Sequence, residues 1–97
     1  MKIFKAEPIK SQLNNSLWKG SCHKSWAHIR ARKENWARTT AAFEFKNVTT
    51  SSGKFAEEPL PSPWNENEIV RFTEMTNEEI ENFNYSIEGD SEIIAKG

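Results

Sequence analysis

Ser21-Cys22-His23-Lys24-Ser25-Trp26-Ala27-His28-Ile29-Arg30-Ala31-Arg32-Lys33-Glu34-Asn35-Trp36-Ala37-Arg38 is the stretch on which the fold turns. No glycine or proline interrupts it, Ser21 is a suitable N-cap, and Ala, Arg, Lys and Glu favour helix. The composition therefore predicts one prominent helix over 21–38. At about 100° per residue, Cys22, Trp26, Ile29, Trp36 and Ala37 share an apolar arc, opposite Lys24, His28, Ala31, Arg32, Asn35 and Arg38. Lys33 falls within the apolar arc and needs its stem to reach outward.

Working outward, Lys2-Ile3-Phe4-Lys5-Ala6 reads as a short strand ended by Pro8. Residues 9–20 hold a helical hint in Leu13, Leu17 and Trp18, punctuated by Asn14-Asn15 and Gly20. After the helix, Ala41 to Thr49 alternates, with Phe43 and Phe45 on one face, and Ser51-Ser52-Gly53 turns it toward a returning strand at Lys54–Glu57. Pro59, Pro61 and Pro63 stiffen the connection at 57–64 into an extended spacer, with docking in an aromatic groove as the other use of such a run. Glu68 to Met75 alternates as a strand. Thr76-Asn77-Glu78-Glu79 is a capping box that opens a short helix over about 77–85. Glu92-Ile93-Ile94-Ala95 adds a last strand. The expected class is α+β: a single 97-residue domain with a basic amphipathic helix and a short second helix on a small antiparallel sheet.

Charge divides the chain at the same proline-rich seam. Residues 1–56 carry eleven Lys and Arg against three Glu, a formal +8. Residues 57–97 carry eleven acids against Arg71 and Lys96, a formal −9, so the net −1 hides two opposite fields. Such asymmetry calls for an anionic partner, a cationic partner, or mutual neutralisation of the halves, within the fold or in a homodimer of complementary charged halves.

The basic face of the helix suits nucleic acid. Lys24, His28, Arg32, Asn35 and Arg38 combine phosphate neutralisation with the bidentate reach of Arg and Asn toward guanine and adenine edges. Trp18, Trp26 and Trp36 could also stack on bases. The apolar arc assigns Trp26 and Trp36 to packing, and leaves Trp18 and Trp64 as the tryptophans better placed to reach a ligand. In the acidic half, Glu78, Glu81 and Glu88, with Trp64, form a candidate protein-binding surface whose carboxylates imitate a row of phosphates. The expected function is a small non-enzymatic binding protein that contacts nucleic acid. The alternative is a protein-binding inhibitor or adaptor, of the type found among short phage proteins, that docks on a host protein of nucleic-acid metabolism through its acidic, phosphate-like face or its basic face.

Other constellations point nowhere. Cys22, His23 and His28 match no metal-ligand spacing, and Cys22 has no orienting base for nucleophilic chemistry. Ser52-Gly53-Lys54 lacks the glycine framework of a phosphate loop. No metal, cofactor or enzymatic activity is expected. A single cysteine excludes an internal disulfide and fits a reducing compartment. No apolar run nears the ~18–20 residues of a membrane helix, and no signal peptide opens the chain, so a cytoplasmic location without membrane contact is expected.

Overall fold

Alternation of apolar and polar residues governs the sheet. The computed structural model describes residues 1–47 and 62–97. Four antiparallel strands, β1 (Lys2–Pro8), β2 (Ala27–Ala31), β3 (Val70–Glu74) and β4 (Glu92–Lys96), lie in the order β3-β1-β2-β4. Two helices accompany them, α1 (Glu34–Glu44) and α2 (Asn77–Asn82), with 3-10 turns at Lys10–Gln12, Ser16–Gly20 and Pro63–Asn65. The α+β class, the strands near residues 2–6, 68–75 and 92–95, and the short capped second helix follow the sequence reading.

The main helix does not lie where helix propensity puts it. Within 21–38, Ala27–Ala31 is a strand and α1 begins only at Glu34. Ser21 caps nothing there; its hydroxyl accepts from the Trp64 indole N–H at 2.9 Å instead. The cause is tertiary. Ala27, Ile29 and Ala31 pair with Ala6, Phe4 and Lys2 of β1, and the other edge of β2 pairs with β4, so both edges of its backbone are satisfied by ladders. The helix in turn runs on through Ala41–Glu44, which the alternation of Phe43 and Phe45 assigns to a strand. Ala37 and Ala41, one turn apart and fully buried, let α1 lie flat on the sheet.

One face of the sheet makes the core. Phe4, Ala6, Ala27, Ile29, Val70 and Phe72 pack with Ala37, Ala41 and Phe45 around Trp18 and Trp64. Trp64, from the acidic half, is completely buried, with the rings of Trp18, Phe45 and Phe72 at centroid distances of 5.7, 5.0 and 6.5 Å. Arg38 is buried too, and its guanidinium donates to the Trp64 carbonyl at 3.1 Å, joining α1 to the 63–65 turn.

The opposite face, carrying Lys5, His28 and Arg30, is crossed by residues 76–91. α2 is held at both ends by its own sequence. Thr76 and Glu79 complete the capping box. Asn84, at a left-handed φ of 57°, closes the C-terminus while the Asn84 and Tyr85 N–H groups donate to Glu81 and Ile80 carbonyls at 3.0 and 3.1 Å. Arg30 then anchors the returning loop through the Ser86 and Asp90 carbonyls and the Glu92 carboxylate. Gly89 (φ 128°) lies so close that a Cβ there would stand 2.6 Å from the Arg30 guanidinium.

The two charge halves interleave. The basic-half strands β1 and β2 occupy the centre and the acidic-half strands β3 and β4 the edges. Of the four ion pairs among the described residues, Lys2–Glu74, Lys5–Glu79 and Arg30–Glu92 join the halves, and only Glu34–Arg38 stays within one. Most of the proline seam, the Ser51–Gly53 turn and the strand expected at 54–57 lie outside the described residues. At the end of the seam, Pro63 and Trp64 are buried core residues. No helix among the described residues is long and apolar enough to cross a membrane.

Candidate nucleic-acid interface

The five residues assigned to one helical face are dispersed by the fold. Arg38 is buried and serves the core. Arg32 and Asn35 are exposed at the start of α1, where the Arg32 guanidinium lies 5.8 Å from the Trp36 ring centroid. Lys24 and His28 remain together: both line an open cleft of about 490 Å³ with Glu7, Pro8, Lys10, Leu13, Ser25 and Trp26. Glu78 and Glu81 are exposed on α2, and Glu88 is exposed in the loop that follows. Trp64 cannot join them, because it is sealed in the core.

The tryptophans exchange the roles that periodicity assigns. Trp18 and Trp64 are buried, whereas Trp26 is 40% and Trp36 50% exposed. The apolar arc holds only for a helix, and in the observed strand geometry Trp26 precedes β2 at the rim of the sheet. Its ring centroid sits 4.8 Å from that of His28, which is in turn 5.1 Å from Phe83 and 5.7 Å from Tyr85. Phe83 and Tyr85 stack almost parallel at 5.2 Å. The result is an aromatic ridge along the second face of the sheet, with Trp26 and Phe83 open to solvent.

Local chemistry orients this ridge. The cap at Asn84 turns Tyr85 back over β2, placing its hydroxyl 2.8 Å from His28 Nδ1. Burial is the main influence holding the His28 imidazole below its ordinary value, with the Lys5 charge acting the same way and Glu7 and Glu79 opposing. His28 is therefore neutral at pH 7, and burial raises the Tyr85 phenol as well. Glu79 is held below the usual carboxylate range, first by the hydrogen bond from Lys5 Nζ (2.5 Å) and then by the Thr76 backbone N–H.

A pH dependence follows from the direction of the His28 shift. A depressed folded-state value means that the unfolded chain binds the proton more readily. Stability from His28 is thus fully present above its ordinary value of 6.5 and declines as pH falls through the lower folded-state value. Urea unfolding at about pH 7.5 and about pH 5.5 should show the wild type losing more stability than His28→Gln. Equal losses in the two proteins would contradict this assignment.

Lys10, Phe83 and Tyr85 escape a reading by spacing, since they come from separate segments that meet only in the folded sheet. The available signal was local: the capping box and Asn84 mark a short helix that doubles back. Cys22 is exposed and unpaired, and no group of three or more metal-ligating side chains occurs among the described residues. No family model matches this chain, and neither a curated protein nor a solved structure is significantly similar to it.

Proposed function

We propose that this chain is a small non-enzymatic binding protein of the cytoplasm that engages nucleic acid through the cleft between Lys10, Lys24 and Trp26, rather than through a helix face. The observation that carries the reading is the half-exposed Trp26 ring at the rim of a cleft flanked by two lysines. Neither Lys10 nor Lys24 forms an ion pair among the described residues, whereas Lys2 and Lys5 do. Their charge is available for phosphates, and the indole supplies a surface for a base.

Anisotropy titration of labelled oligonucleotides at low salt tests this. Trp26→Ala is expected to weaken binding about tenfold, the scale of one lost base–aromatic stack. Lys24→Glu is expected to weaken it further at low salt than at high salt. Absence of saturable binding by the wild type would refute the reading.

A second reading rests on a separate observation. Phe83 and Ile87 are 52% and 47% exposed and lie in sequence among Glu78, Glu81 and Glu88. An apolar centre with an acidic rim suits docking on a basic surface of a protein of nucleic-acid metabolism. Under that reading Glu78→Gln, Glu81→Gln and Glu88→Gln together reduce partner capture, and Trp26→Ala does not.

A further inference from the structure

A second cleft of about 400 Å³ adjoins the first, sharing Glu7, Pro8 and Lys10 and ending at Arg71 on the edge strand β3. The joined groove crosses one end of the sheet and carries Lys24, Lys10 and Arg71 along its course, with Trp26 at one extreme. All three cations are exposed, and none forms an ion pair among the described residues. Glu7 lies opposite Arg71 in the β1–β3 register and is the one carboxylate among the described residues lining the groove.

Resting on the nucleic-acid reading above, we infer that the ligand is a single strand, lying along this groove with unpaired bases toward Trp26 and phosphates toward Lys24, Lys10 and Arg71. A base can cover an exposed indole face only when it is free of its duplex neighbours. Reading a duplex instead needs a helix or β-ribbon that enters the major groove with basic side chains outward. Among the described residues neither helix meets that need, and all four strands are joined in one sheet, so none stands out as a two-stranded ribbon. The one basic residue of α1, Arg38, is buried, and α2 carries three glutamates and no Lys or Arg. The unpaired cations instead follow a concave track, as a flexible phosphodiester backbone requires.

The test is anisotropy with labelled oligomers of roughly a dozen nucleotides, as single-stranded DNA, single-stranded RNA and the matching DNA duplex, each at two salt concentrations. Either single strand is expected to bind at least tenfold more tightly than the duplex, with a log–log salt slope of about −2 for three phosphates. The tighter of the two identifies the sugar that the groove prefers. Arg71→Gln should reduce the magnitude of that slope by about 0.7, Glu7→Gln should strengthen binding severalfold, and Trp26→Ala should weaken it while leaving the slope unchanged. All three positions are exposed, and unchanged circular dichroism would verify folding. Duplex binding as tight as single-strand binding, or no response to Arg71→Gln, overturns this inference and leaves the nucleic-acid reading standing. Absence of binding by all three oligomers overturns both.

Discussion

Trp64→Ala is expected to destabilise the protein by about 3–5 kcal/mol, enough to leave a domain of this size partly unfolded at 25 °C. Trp64 is the largest fully buried side chain among the described residues, and its removal opens a cavity walled by Trp18, Phe45 and Phe72, three aromatic rings from separate segments. Rings on different elements cannot collapse together without moving the 16–20 turn, α1 or β3, so little of the cavity closes. The indole N–H is a smaller part of the effect. Ser21→Ala removes its 2.9 Å acceptor, along with the hydroxyl's hydrogen bonds to the His23 carbonyl and from the His23 N–H, and should lose about 1–3 kcal/mol, the scale for an orphaned buried donor. Guanidinium unfolding of the two variants separates these contributions. A loss below about 1 kcal/mol for Trp64→Ala would return Trp64 to the surface role that its sequence context invites.

Arg38→Glu should be a severely damaging charge reversal, at about 3–5 kcal/mol, and damaging to stability rather than to ligand binding. The guanidinium is buried, donates to the Trp64 carbonyl and to Glu34 (both 3.1 Å), and lies 4.4 Å from the Phe72 ring centroid. Glutamate would place an unpaired carboxylate there, beside Glu34 and against the negative face of an aromatic ring. Arg38→Met keeps the apolar stem and forfeits the hydrogen bonds, so a loss of about 1–3 kcal/mol is expected. Thermal unfolding ranks the two. If Arg38 were instead a phosphate contact, Arg38→Met would retain full stability and lose oligonucleotide affinity.

Arg38 and Trp64 show why site assignment by residue type fails here. Arginine and tryptophan suit both ligand binding and burial, because each combines a large apolar body with polar hydrogen-bond donors. Spacing places Arg38 beside Lys24 and His28 only if residues 21–38 form one helix. Once Ala27–Ala31 is a strand, Lys24 and His28 stay at the groove, Arg38 turns inward and Trp26 turns outward. The strand did have a signature: Ala27, Ile29 and Ala31 alternate with His28, Arg30 and Arg32. That period of two competes with good helix formers in the same window, and from local chemistry alone the helix formers prevail.

What the sequence by itself determined are the features whose causes lie within a few residues. The β1 alternation ending at Pro8, the Thr76–Glu79 capping box, the strand before it and the α+β class all belong to that set. The interleaving of the charge halves, the β2 strand, the buried Arg38 and Trp64, and the groove from Trp26 to Arg71 were decided by the tertiary structure alone. Each depends on which distant segment supplies the neighbour. A backbone edge becomes a strand when two others pair with it, and an amphipathic side chain becomes core or contact surface according to what covers it. Those neighbours are set by the order β3-β1-β2-β4, which no local window of residues contains.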